Sequence, residues 1–310
     1  MTFRARPGHS RALRYGAGTS ALALLICVLI AGLSFRTLGT DGERVAGATA
    51  RSFGEVIRTE DRTVDVRWSA AGAPRTDTVA LGVSPPPVGT RTEVAYDPRE
   101  PTTVFIPGST ELAAVDRATS GVAFSGLIAT IVLTTAGWHV ISRRRVRRRT
   151  GQPMQVRRVR VQSGLMTRSW LELDSPAPGS TSRWIPVHFD PILATLPAPT
   201  TVQVHGDPRG RGLAAAEVDG VWLDPSGPIR TAEPRGRRID SPTRPDPDAR
   251  HDTSWCRQLR ADAVLLTPAP IVGLLWVFLD GGGLATWACA TALTATLALW
   301  CAALRGSDPT

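Results

Sequence analysis

Four apolar runs, almost free of charge, divide the chain: Ala17–Phe35, Thr119–Ser142, Ala263–Leu279 and Leu284–Leu304. A bilayer core takes about 20 apolar residues of helix, with about 17 as the lower limit. Backbone in lipid must satisfy its own hydrogen bonds, so the runs predict transmembrane helices over 17–35, 119–142, 263–279 and 284–304. His139 is the one ionisable side chain inside them, near an end. Pro268 and Pro270 predict a kink in the third helix, and Asp280-Gly281-Gly282-Gly283 a tight turn that makes the last two a hairpin. Ala288, Ala292 and Thr296 recur every fourth residue, as do Ala298 and Ala302. This is either a face for close helix packing or a by-product of alanine-rich composition.

The polar stretches between the runs carry a period of two. In 36–118, Val64, Val66 and Trp68 alternate with polar residues, as do Thr92, Val94 and Tyr96. Val79 with Leu81 and Val104-Phe105-Ile106 add short strands, and a weaker strand falls near Thr49–Ile57. Ser109 is placed to cap a helix that runs into the second span, with Glu111 in its first turn. In 143–224, strands are predicted at Val156–Val161, Trp170–Leu173, Trp184–Phe189, Val202–Val204, Leu213–Val218 and Val221–Leu223. Asp190-Pro191, Asp207-Pro208 and Asp224-Pro225 end three segments, each a turn in which Asp can bond its own backbone and Pro fixes φ. The order strand, turn, strand, Pro-containing loop, strand, Asp-Pro, strand occurs in 63–108 and again in 168–218. It predicts two related modules whose strands pair in the same order, with convergent alternation as the other source of the pattern. Residues 225–258 are rich in Pro, Arg, Asp and Ser and read as a flexible linker; Ser241-Pro242 within it is more simply a solvated serine than a phosphorylation site. The fold class is thus membrane α-helical, with four transmembrane helices, plus two small antiparallel β modules.

All 36 basic residues are arginine, so their abundance reflects composition, and only their distribution informs. Arg4, Arg6, Arg11 and Arg14 precede the first run; Arg143, Arg144, Arg145, Arg147, Arg148 and Arg149 follow the second. Arg257 and Arg260 precede the third, and Arg305 follows the fourth. Segment 36–118 holds 10 arginines against 12 acids, whereas 143–260 holds 21 against 12. Arginine-rich flanks stay in the cytoplasm. They predict a multi-pass cell-membrane protein with a cytoplasmic N-terminus (1–16), an extracytoplasmic module (36–118), a cytoplasmic module (143–224) and a cytoplasmic C-terminus (305–310). No clean A-x-A site follows the first run, so it reads as an uncleaved anchor. Trp138, Trp276, Trp287 and Trp300 fall near span ends, as interfacial aromatics do, and Trp255 precedes the third. Cys27, Cys256, Cys289 and Cys301 make no CxxC and read as structural thiols.

The Val64–Trp68 strand, Val79-Ala80-Leu81-Gly82, the loop Pro85–Gly89, and Val94-Ala95-Tyr96-Asp97-Pro98 followed by Pro101 are found together. At these residues the chain resembles domain-of-unknown-function family 3592, bacterial membrane proteins with a small β domain, over roughly residues 45–107 and the flanking spans. The resemblance implies a membrane-anchored β domain and transfers no catalytic residue. The large inner region and second hairpin depart from a two-span member.

Candidate chemistry is sparse. His188-Phe189-Asp190 and His205-Gly206-Asp207 could converge four ligands or an acid–base set, but each Asp already has a turn role. No catalytic, cofactor or metal residue is therefore assigned, and no cofactor is expected. Arg143–Arg149 could bind anionic lipid headgroups at about 1 kcal/mol per Arg, or only fix topology. Trp170, Trp184 and Trp222 accompany arginines in 143–224, yet no nucleic-acid recognition motif does, so nucleic acid is an unexpected partner. There is no G-x-S-x-G, no H-E-x-x-H, no phosphate loop and no membrane-embedded acid pair. The expected function is non-enzymatic: an envelope interaction or scaffold protein with the bilayer and an unidentified envelope protein as partners. The alternative is a signalling or transport accessory component that couples the outer module to the inner one.

Overall fold

A computed structural model describes residues 11–173, 182–239 and 255–310. The chain forms two compact units. One comprises Cys27–Ala129 and Val277–Gly283; the other comprises the chain up to Ile26, Thr130–Trp276 and Leu284–Thr310.

Three helices are long and apolar enough to cross a membrane: 12–47, 110–147 and 284–305. The first is α1 (Arg11–Thr37), which continues through a π turn (Leu38–Gly42) into α2 (Glu43–Gly47). The second is α3 (Thr110–Arg147). Each overruns its apolar run, because a helix continues while its backbone bonds continue, whether or not its side chains are apolar. Ser109 stands before α3, but its hydroxyl is buried and makes no hydrogen bond among the described residues; it does not close the cap as expected. The third run is broken. Helix α4 (Ile192–Thr195) belongs to the second sheet region; α5 (Trp255–Asp262) and a 3₁₀ turn (Ala263–Leu266) are followed, across Thr267-Pro268, by α6 (Ala269–Asp280). The bend is 42°, so this pair is one broken span at most. Pro268 and Pro270 lack the N–H groups that would continue the ladder. After a turn at Gly281, φ +64°, α7 (Leu284–Arg305) runs back. The close approach between α6 and α7 is not at Ala288, which is exposed. It is at Gly273, where any Cβ would collide with the Thr291 hydroxyl and the Trp287 backbone.

The first unit holds a curled antiparallel sheet of β1 (Ala50–Glu60), β2 (Thr63–Ala70), β3 (Ala73–Ala80), β4 (Arg91–Tyr96) and β5 (Val104–Phe105), ordered β3-β2-β1-β4-β5. Val56, Val64, Val66, Trp68, Val79, Leu81, Val94 and Ile106 form its core. Only Val79 was legible in β3, with Leu81 just beyond its end. Its other residues, among them Pro74, Arg75 and Asp77, lie on a sheet edge where nothing demands alternation, and charge with Pro blunts edge-to-edge pairing.

The second sheet contains β6 (Gly151–Ser163), β7 (Met166–Leu173), β8 (Arg183–Val187), β9 (Thr200–His205), β10 (Ala215–Val218) and β11 (Val221–Leu223), ordered β11-β10-β9-β6-β7-β8. Numbered within each module, the first five strands of both sheets have one order, 3-2-1-4-5. Register agrees where the first and fourth strands meet: Ala50 pairs Tyr96 and Gly151 pairs His205, each opening a ladder of six residue pairs. Both fourth strands run into Asp-Pro-Arg, and in both the Arg amide donates to the Asp carboxylate, Arg99 to Asp97 at 2.8 Å and Arg209 to Asp207 at 2.9 Å.

The predicted linker 225–258 needs correction over its first part. Ile229 is buried in the sheet core, Arg230 and Trp184 exchange backbone hydrogen bonds, and β12 (Arg237–Ile239) pairs with β6. A polar segment can fold as an edge when its backbone finds a strand with open donors and acceptors. The rest, 240–254 with Ser241, lies outside the described residues.

Candidate functional site

The second unit gathers four helix ends beside its sheet. Near the start of α1, Tyr15 donates from its hydroxyl to the Asp262 carboxylate of α5 at 2.7 Å. Gln258, one turn earlier on α5, donates to the Ser307 hydroxyl at 2.6 Å, just beyond α7. At the end of α3, Arg147 grips the Asp224 carboxylate through Nε and Nη2 at 2.7–2.9 Å, with Asp224 almost fully enclosed. Arg143, one turn earlier on the same helix face, donates to His188 Nε2 at 2.6 Å. An arginine has no acceptor, so Nε2 accepts and His188 is the neutral tautomer protonated on Nδ1. Burial, then the Arg143 charge, holds His188 well below the usual histidine range.

Gly306–Thr310 docks onto the sheet as an added edge segment. The Asp308 amide donates to the Thr167 carbonyl at 2.9 Å, and Ser307 bridges Arg168. The Asp308 carboxylate then lies 2.7 Å from Arg158 and 2.5 Å from the Ser169 hydroxyl. Burial alone would raise the Asp308 pKa, but Arg158, Ser169 and Thr310 outweigh it and hold it below the usual carboxylate range. Arg158 also donates to the Leu193 carbonyl, and Arg160 donates to the Thr310 carbonyl. Between Tyr15, His188, Phe189, Trp255, Gln258 and Ser307 is a void of about 20 Å³. That is room for one water, not for a substrate.

The two His-x-Asp pairs are not brought together. His188 faces Arg143, whereas His205 donates from Nδ1 to the Arg149 carbonyl (2.8 Å), reaches Glu217 (3.2 Å) and packs on Trp222 at 4.5 Å. Asp190 accepts from the Ile192 amide and Asp207 from Arg209, so both hold turns as expected. Asp224 departs from that role, spending its carboxylate on Arg147 and Arg143. Among the described residues no three His, Cys, Asp or Glu side chains converge to hold a metal ion. The arginine run is split by its helical face: Arg143 and Arg147 turn inward to Asp224, and Arg144, Arg145, Arg148 and Arg149 remain exposed. Trp170 and Trp184 are buried against Val159 and Val161, and Trp300 is buried within the protein.

Sequence reasoning passed over Tyr15, Arg158, Asp262 and Asp308. The signal was available for Asp262, which stands directly before an apolar run, where an unpaired carboxylate would be costly. No family model, curated protein or solved structure matches the chain. The resemblance to family 3592 rests on the residues between Val64 and Pro101 alone.

Proposed function

We propose that the chain is a non-enzymatic, multi-pass protein of the cell membrane that serves as an envelope interaction or scaffold protein. Its N- and C-termini are cytoplasmic, 36–118 faces outward, and 143–224 lies within. The observation that carries this reading is the convergence of the arginine-flanked ends of α1, α3, α5 and α7 on one sheet through Tyr15–Asp262, Arg147–Asp224, Gln258–Ser307 and Arg158–Asp308. Ends that share buried bonds share one side of a bilayer, which is the side that arginine flanks choose. Reporter fusions at Ala73 and Pro199 should report opposite sides of the membrane; signals from the same side would end the reading.

The alternative, coupling of the outer module to the inner one, draws on α3. This helix begins five residues after Phe105 of β5 and ends four residues before Gly151 of β6. Connections so short leave little slack, so a rotation at one end of α3 would be felt in the strand at the other.

A further inference from the structure

Three buried or half-buried arginines beside the second sheet face a carboxylate: Arg143 and Arg147 face Asp224, and Arg158 faces Asp308. Arg168 on β7 does not. Its Nε donates to the Arg305 carbonyl at 2.7 Å and its Nη2 to the Ser226 hydroxyl at 3.2 Å. Its guanidinium lies 5.0 Å from the centre of the Trp170 ring, and that of Arg230 lies 5.2 Å from the same ring. Arg305, the last residue of α7, joins them through the Arg168 hydrogen bond. Among the described residues no carboxylate lies within ion-pair distance of any of the three.

A half-buried charge such as Arg168, set beside the exposed like charges of Arg230 and Arg305, is unfavourable unless an anion joins them. Burial, then Arg230 and Arg305, depresses the Arg168 pKa to about 10, which registers the same crowding. The Trp170 indole draws both the Arg168 and the Arg230 guanidinium group to itself, which holds the two cations near one another at little entropic cost. Guanidinium forks match the tetrahedral oxygens of phosphate better than a lone carboxylate, and the Ser226 hydroxyl supplies a neutral donor.

We propose that Arg168, Arg230 and Arg305, with Trp170 beneath and Ser226 beside them, form a binding site for a phosphate group. The site sits at the end of the 22-residue apolar helix α7. On the reading that α7 crosses the membrane, this is headgroup depth, and the phosphate is that of an anionic phospholipid. If α7 does not cross, the same chemistry takes a soluble phosphate, so the two readings fail separately.

The test uses the full chain in neutral detergent, with unfolding temperature followed by tryptophan fluorescence. Dihexanoyl phosphatidic acid and inorganic phosphate are titrated in separate arms. Saturable stabilisation by the lipid alone supports the lipid source, and saturation by inorganic phosphate supports the soluble one. R230Q should weaken the half-saturating concentration about fivefold and R230Q/R305Q about twentyfold or more, from roughly one charge contact each. R144Q/R145Q, which removes two exposed charges elsewhere, should change it less than about twofold by screening alone. R230Q and R305Q alter exposed side chains, so folding is preserved even where R168Q unfolds the sheet. Absence of saturation in both arms, or equal weakening by R144Q/R145Q, would overturn the proposal.

Discussion

Replacing Asp308 by Asn should release the segment after α7 from the sheet. In the native chain the Asp308 carboxylate is fully enclosed and the Arg158 side chain only 8% exposed, at 2.7 Å. Removing one partner of a buried pair costs about 3–5 kcal/mol because the other charge is stranded. Asn keeps the shape and can still accept from Ser169, and Arg158 keeps the Leu193 carbonyl, so the low end applies, about 3 kcal/mol. At about 1.4 kcal/mol per tenfold, the undocked fraction rises roughly a hundredfold. Trypsin cleavage after Arg305 in the intact, detergent-solubilised chain reads that fraction when opening is fast compared with scission. D308N should be cut about a hundredfold faster, and R158M/D308N, which no longer strands a guanidinium, should recover much of the loss. The acid side carries its own sign. The folded Asp308 pKa is depressed, so the stabilisation is complete above the usual carboxylate range near 4 and fades as pH falls through the folded value. Exchange at the Asp308 amide should therefore accelerate, beyond its chemical rate, only below about pH 4. A D308N chain cleaved within about threefold of the wild-type rate would refute the idea that this ion pair holds the segment.

Two further outcomes follow from the same unit and from α3. His188 stays neutral when folded but protonates when unfolded, so stability should fall as pH drops below about 6.5, by about 2 kcal/mol at pH 5 if it alone titrates; H188Q should flatten that dependence in denaturant melts, and an unchanged slope would place the titration elsewhere. Inserting one alanine after Gly126 turns the downstream part of α3 by about 100°; coupling predicts faster hydrogen exchange in β6 and β7, and unchanged exchange there would discard the coupling reading.

What could be read beforehand follows from how strongly each element announces itself. Apolar runs and alternating strands such as β2 and β4 are dictated by burial, and burial leaves a period in the sequence. The bend before α6 was legible because proline removes a donor wherever it stands. Edge elements were not. Most of β3, all of β12 and the segment after α7 are held by backbone pairing and a few polar contacts, which impose no period. The buried network shared this opacity. Tyr15 and Asp262 are 247 positions apart in sequence, and Arg158 and Asp308 are 150 apart; nothing local in either stretch names the partner.

The equal strand order of the two sheets shows which parts of the second one hold its helices. A five-stranded 3-2-1-4-5 sheet entered from an apolar helix describes both β1–β5 after α1–α2 and β6–β10 after α3. The shared part includes the turn chemistry of Asp97 and Asp207, two exposed carboxylates that each bond the amide two residues on. The additions are confined to the second sheet: β11 and β12, the segment 224–230 along β8, and Gly306–Thr310 along β7. Asp224, Ser226, Arg230, Ser307 and Asp308 all belong to these additions. Of the ionic contacts that tie helix ends to the sheet, each has one partner on α3, β6 or β7 and the other in an added piece. The common sheet is thus a platform built on an alternating core, while the appended polar edges give the second sheet its grip on α3 and α7.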